Sequence, residues 1–270
     1  MMKKGLICLL AVITVMTIQN QGFAQDQDLE WNPDLTNSWT PVEDSVSTEH
    51  GEPPSDAVIL FDGSDLSEWT SAPGYFPDIS GVPDYLDALE EDYEPAQWTV
   101  EDGVMTVAPG TGNIMTKQKF SDAQLHIEWR TPGVIEGEGQ GRGNSGVFLQ
   151  GLYEVQVLDS WQNKTYSNGQ AGALYKQYSP MVNASKKPGE WQSYDIFFEA
   201  AHFDDDGSLI KPAFITVLHN GVLIHHRQEL QGPTVYIGLS KNVEHPRELP
   251  IGLQDHSNEV SFRNIWVREL

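Results

Sequence analysis

From Asp56 to Leu270, apolar residues recur at every second position in short runs broken by turn residues, and this alternation constrains the fold more than any other feature. Successive strand residues point to opposite sides, so such runs are half-buried strands of antiparallel sheets. The strongest stretches are Ala57–Phe61, Trp98–Val107, Gln124–Arg130, Ser145–Leu149, Tyr153–Leu158, Trp191–Ala200, Ala213–His219, Val222–His226 and Val260–Val267. Glu101-Asp102-Gly103 and His219-Asn220-Gly221 supply the Asp-Gly and Asn-Gly turns of tight hairpins. No long stretch of helical period occurs, and no glycine cluster between a strand and a helix offers a phosphate loop. The expectation is an all-β chain folded as a sandwich of two antiparallel sheets.

The start of the chain reads differently. Lys3 and Lys4, the apolar run Leu6–Ile18 and the small-residue stop Gly22-Phe23-Ala24 have the form of an export signal, so residues 1–24 are expected to be removed and the protein to be periplasmic or secreted. The single cysteine, Cys8, lies inside that run, which leaves the mature chain without thiol chemistry or disulfides. Between Lys4 and Lys117 there is no Lys or Arg, while 21 of the 39 acidic residues fall there. Residues 25–55, rich in Pro, Asp, Glu and Ser, read as an acidic flexible leader, and the acidic stretch at about 71–96 as an insertion or short helix in a domain spanning 56–270. A net charge of -23 repels phosphate backbones and anionic headgroups, so nucleic acid and membrane association are not expected and small neutral partners are favoured.

Alternation also assigns faces. In Gln124–Arg130 the core side is Leu125, Ile127 and Trp129, leaving Glu128 and Arg130 outward. In the following two strands Asn144, Phe148, Gln150, Glu154 and Gln156 point outward. The three strands are expected to share one surface whose amides, carboxylates and rings suit sugar hydroxyls and pyranose faces. An ordinary solvated face is the plain alternative.

Along some 210 residues the chain resembles the 3-keto-disaccharide hydrolase family, also described as 3-keto-glucoside 1,2-lyase and 3-keto-2-hydroxyglucal hydratase domains. The resemblance runs from Leu60-Phe61-Asp62-Gly63 through Leu125-His-Ile-Glu-Trp-Arg130, Gly141-Arg-Gly-Asn-Ser-Gly146 and Tyr153-Glu-Val-Gln-Val-Leu-Asp159 to Leu253-Gln-Asp-His256 and Phe262-Arg-Asn-Ile-Trp266. It implies a concanavalin-A-like jelly roll, an exported location and action on carbohydrate. Sandwich glycosidases carry three acids along one strand, but here the middle one is replaced by Gln156. Glu154 and Asp159 would stand roughly 16 Å apart on opposite faces of a regular strand, whereas a hydrolytic pair needs about 5–9.5 Å.

A 3-keto sugar offers another route, because the carbonyl acidifies the C2 proton, the C1 substituent leaves by elimination and water adds back. Glu154 and His256 are the expected proton-transfer residues, with Asp255 fixing the His256 tautomer. Glu128, Arg130, Asn144, Gln150, Gln156, Asp159, Lys176 and Gln254 are expected to hold the sugar. No metal-binding spacing is evident. A divalent cation stays open as a cofactor, with Glu128, Glu154 and His256 as its candidate ligands. A non-catalytic carbohydrate-binding sandwich and a conventional glycoside hydrolase stay open as alternatives.

Overall fold

A computed structural model of the chain describes residues 33–38, 40, 42, 44–47, 49, 51–74, 81–89 and 93–270. The expected export signal, residues 25–32, 39, 41, 43, 48 and 50 of the leader, and residues 75–80 and 90–92 of the insertion lie outside the described residues. The chain divides into two units at Ser45/Val46. In the first, a 3-10 turn at Pro33–Thr36 is the regular element described.

Among its described residues the second unit carries fifteen strands: β1 (Val58–Phe61), β2 (Trp69–Ser71), β3 (Thr99–Glu101), β4 (Val104–Thr106), β5 (Ile114–Phe120), β6 (Ala123–Arg130), β7 (Ser145–Leu149), β8 (Tyr153–Val157), β9 (Gln192–Glu199), β10 (His202–Phe203), β11 (Leu209–Lys211), β12 (Phe214–His219), β13 (Val222–Glu229), β14 (Leu249–Leu253) and β15 (Ser261–Glu269). A short helix, α1 (Val82–Ala88), with Pro83 in its first turn, falls within the acidic insertion. The first sheet runs β13-β12-β9-β6-β15-β4-β3, with β1 paired to β15. The second runs β2-β5-β14-β7-β8, and β10 and β11 form a separate hairpin around the acidic loop at Asp204–Ser208.

Eight of the nine stretches chosen by alternation each hold one strand, the ninth, Trp98–Val107, is the β3–β4 hairpin, and every pairing described is antiparallel. The inward residues of both sheets, among them Leu125, Ile127 and Trp129 from β6 and Val147, Leu149, Val155 and Val157 from β7 and β8, merge in one buried cluster. Burying a side chain of that size is worth about 1.5–3 kcal/mol, so the cluster drives the two sheets together. The chain is thus an all-β sandwich.

One expectation about surfaces is corrected here. β6 belongs to the eight-stranded sheet, whereas β7 and β8 belong to the five-stranded one. With both core faces turned toward each other, the outward residues of β6 lie on the opposite side of the molecule from those of β7 and β8. Glu128 and Arg130 therefore share no surface with Glu154 and Gln156.

Candidate active site

On the outer face of the five-stranded sheet, register sets Glu154 opposite Phe148 and Gln156 opposite Gly146, while the Gln254 N–H donates to the Gly146 carbonyl at 3.1 Å. Gly146 has a specific role in this row. A Cβ added there would stand 2.7 Å from Glu154 Oε1 and 2.8 Å from the Phe148 ring, so the missing side chain makes the space in which the carboxyl lies.

β8 is an edge strand, but it is covered. Segment 172–175 hydrogen-bonds along it, Gly172 N–H to the Gln156 carbonyl, Gln156 N–H to the Ala173 carbonyl and Tyr175 N–H to the Glu154 carbonyl, at 2.9–3.1 Å. The Glu154 N–H donates to Thr234 Oγ1 at 2.9 Å. Under this cover the Glu154 side chain is buried at 6% exposure. Its carboxyl has no hydrogen-bond or ionic partner among the described residues. Desolvation therefore acts unopposed and pushes its pKa up to about 8.

Around it stand held amides and rings. Gln156 Nε2 donates to Asn144 Oδ1 at 2.9 Å, and Asn144 Nδ2 donates to the Gln140 carbonyl at 2.7 Å. Gln156 Oε1 is buried without a partner among the described residues. Lys176 adopts φ +64, unusual for a residue with a side chain, and its backbone is clamped by Asn168, which takes its N–H at 2.8 Å and donates to its carbonyl at 3.2 Å. The Lys176 ammonium lies 4.0 Å from the Tyr166 ring centre, 5.4 Å from Tyr236 and 5.7 Å from Tyr175. Burial first, then the hydrogen bond with Tyr166 and the charges of Tyr166, Glu154 and Tyr236, drive the Tyr175 phenol upward. Sequence reasoning missed Gly146, Thr234, Tyr175 and Tyr236. The glycine carries no side chain to signal a role, and the others sit in loops whose return to β8 has no local pattern.

The remaining expectations divide. Gln254 reaches the row through its backbone contact with Gly146. His256, two residues on, is exposed, and its ring has no partner among the described residues. Asp255 does not fix the His256 tautomer, because its carboxylate accepts the backbone N–H groups of Gly110, Gly112 and Ser257. Gln150 does not face a ligand: at φ +58 in the β7–β8 turn, its amide donates to the carbonyls of Phe120 and Arg247. Asp159 is 3% exposed and held by Arg142 Nε at 2.6 Å and the Trp161 N–H at 3.1 Å, a structural ion pair tying the connection before β7 to the end of β8.

On the far sheet, burial alone would raise the Glu128 carboxyl, but hydrogen bonds from Asn264 and Arg263 hold it below the usual range. Arg130 and Arg263 lie against the Trp191 ring at 4.6 and 4.2 Å, so that tryptophan is an outer-face residue and not core. With Glu128 removed, the proposed metal set loses a member, and the described residues contain no group of three His, Cys, Asp or Glu able to hold an ion. A cleft of about 920 Å³ opens elsewhere, between Arg130, Arg142, Asp159 and Asn258 at the sandwich end. Its carboxylate at Asp159 is already neutralised by Arg142, so volume alone does not make it the reactive site. No helix among the described residues is long and apolar enough to cross a membrane.

Three comparisons bear on this surface. A family model described as "3-keto-alpha-glucoside-1,2-lyase-like domain" matches residues 56–268. A "3-keto-disaccharide hydrolase" of Bacteroides thetaiotaomicron is 24% identical over 251 residues, 79% of this chain and 78% of that protein. A solved structure described as a "putative glycosyl hydrolase" from Parabacteroides distasonis is 44% identical, covers 88% of this chain and 97% of its own, and superposes with a TM-score of 0.78. A second protein described in the same words from that organism, 18% identical with a TM-score of 0.54, shares the fold.

Proposed function

Because the chain belongs to the 3-keto-alpha-glucoside-1,2-lyase-like domain family, we propose that it cleaves the glycosidic bond of 3-keto-glycosides, with Glu154 as the proton-transfer group. The observation that carries this reading is a carboxyl buried without a partner among the described residues and raised to about 8, beside anchored amides. A carboxylate of ordinary basicity removes a proton from carbon poorly. One whose pKa lies near the working pH is a stronger base and is still partly ionised.

The balance of the reaction is as follows. Glu154 takes the C2 proton, and the electron pair forms an enolate with the C3 carbonyl. Lys176, whose ammonium is held among tyrosine rings, faces the negative oxygen. Collapse of the enolate expels the C1 oxygen, which takes up a proton from His256 or water, leaving a C1–C2 double bond. Water then adds at C1, and C2 is reprotonated from Glu154 once the carboxyl proton has exchanged with solvent. The net result is hydrolysis with no second carboxylate, consistent with an amide at Gln156. Gln156, Asn144 and Gln254 hold the sugar hydroxyls, and the unmatched Gln156 Oε1 is an acceptor suited to one of them. No step requires a metal. The sequence of residues 1–24 supports action outside the cytoplasm.

The test is incubation with a 3-keto-glucoside and with its unoxidised parent in deuterated water. Release of the aglycone from the keto-sugar alone, with deuterium at C2 of the product, is expected. Equal cleavage of the unoxidised parent, or product without label, would sink the elimination route, because direct hydrolysis never breaks the C2–H bond. Activity on the keto-sugar should rise with pH along a limb near 8, since the base must lose its proton. A falling limb there would make Glu154 the acid instead.

A further inference from the structure

Beside Glu154 stands a loop with a buried base and an uncovered tip. Its legs pinch where Gly232, at φ +131, abuts Lys241; a Cβ on that glycine would lie 2.0 Å from the Lys241 carbonyl oxygen. The base is fixed to the catalytic strand and to the Lys176 turn. Thr234 accepts the Glu154 N–H and donates its own N–H to the Leu152 carbonyl at 2.7 Å. Gln177 bonds both the Gly232 carbonyl and the Gln231 N–H at 2.8–2.9 Å. Residues 232–235 are buried, and then the chain turns outward: Tyr236, Ile237 and Leu239 are 71%, 82% and 89% exposed. Ile237 and Leu239 are the most exposed large apolar residues described in the unit that holds the site.

A compact loop with joined ends is a form used repeatedly for binding. Apolar side chains held in water on an anchored loop gain free energy only when something covers them. Continuity with the reactive row identifies the occupant, because Tyr236 already meets the Lys176 ammonium, and its charge acts with that of Glu154 on Tyr175. The polar equipment for the sugar lies in the row itself. What the tip adds is apolar and aromatic.

We propose that Tyr236, Ile237 and Leu239 form the platform for the leaving group, and that the preferred substrates are 3-keto-glucosides carrying an aromatic aglycone. This rests on Glu154 being the reacting carboxyl, and it adds a specificity determinant that the row of amides does not supply. The relevant quantity is kcat/KM for an aryl 3-keto-glucoside relative to the methyl 3-keto-glucoside, because the methyl group is too small to reach the platform.

In the full chain, Ile237→Ser with Leu239→Ser is expected to lower that ratio by on the order of 10- to 100-fold, the worth of one or two apolar side chains covered on binding. A ratio that stays within about 2-fold of wild type, whatever the absolute rates, overturns the platform. Binding of an unoxidised aryl glucoside by calorimetry gives a readout independent of the chemistry. Weakened affinity in the double variant supports the platform even where the keto-substrate is not turned over, and unchanged affinity refutes it. Light scattering covers the rival occupant: a wild-type dimer that the double variant dissociates, with the aryl ratio unchanged, would assign the tip to a second copy of the chain instead.

Discussion

Replacing Glu154 by Gln should stabilise the protein while removing its activity, and the stabilisation should depend on pH in a calculable way. The folded carboxyl holds its proton up to about 8, whereas the unfolded one releases it near 4.5. Between those values the native state binds more protons than the unfolded state, so stability must fall as pH rises. The stability is fully present below 4.5, declines by up to about 1.4 kcal/mol per pH unit inside the window and levels off above 8. From pH 5 to 7.5 the loss is about 3 kcal/mol, a ceiling, because water reaching the carboxylate would reduce it. Glutamine does not titrate. It does bring a buried N–H donor that costs about 1–3 kcal/mol, but that cost is the same at every pH. The informative quantity is therefore the change with pH in the stability difference between variant and wild type. Urea unfolding at pH 5.0, 6.0, 7.0 and 7.5 would measure it. The difference should grow by about 3 kcal/mol in favour of the variant, or about 6–12 °C in melting temperature for a domain of this size. A difference flat to within about 0.5 kcal/mol would mean that the carboxyl is well solvated or paired, and the account of its basicity would fail with it.

Three further outcomes separate the two faces and the structural groups from the reactive one. Gly146→Ala puts a methyl group 2.7 Å from Glu154 Oε1, so turnover should fall by about 10-fold or more while the midpoint of thermal unfolding moves little, as paired activity and melting assays would show. Glu128→Gln, on the opposite sheet, should leave kcat/KM within about 2-fold of wild type; a larger loss would reinstate that face as part of the site. Asp159→Ala leaves the Arg142 guanidinium buried and unpaired, so unfolding free energy should drop by about 3–5 kcal/mol with activity per folded molecule largely kept, as denaturation alongside active-site titration would show.

The alternation of Gln124–Arg130 declared its buried face residue by residue, and β6 alternates buried and half-buried side chains without interruption. Five strands, β2, β5, β10, β11 and β14, fall outside the alternating stretches, and the two longest of them were not legible for opposite reasons. β14, Leu249-Pro-Ile-Gly-Leu253, is wholly buried and carries both a proline and a glycine, so it shows neither period nor propensity; a register shift between Pro250 and Gly252 absorbs the misfit. β5 has buried residues in a block and exposed ones in a block. Alternation also cannot say which sheet a strand joins. The connection from Arg130 to Ser145 carries the chain from one layer to the other, which is why Glu128 and Glu154 looked like neighbours in sequence and stand on opposite sides in space. Within the row, Glu154, Gln156 and Asn144 were legible because they share a strand pair. Tyr175 and Tyr236 were not, because only tertiary hydrogen bonds bring their loops to β8.

The segment that covers β8 has a second consequence, for how this surface can change. An edge strand with open N–H and C=O groups invites another chain to add to it and so to aggregate. Here the groups of residues 154 and 156 are taken up by segment 172–175 and by Thr234, so the pieces that shape the reactive pocket also guard the sheet against intermolecular pairing. A substitution at Gly172, Ala173 or Thr234 meant to widen the pocket would first show itself as lost soluble yield, and selection for new substrates would be channelled toward positions such as Ile237 and Leu239, which can vary without unzipping the edge.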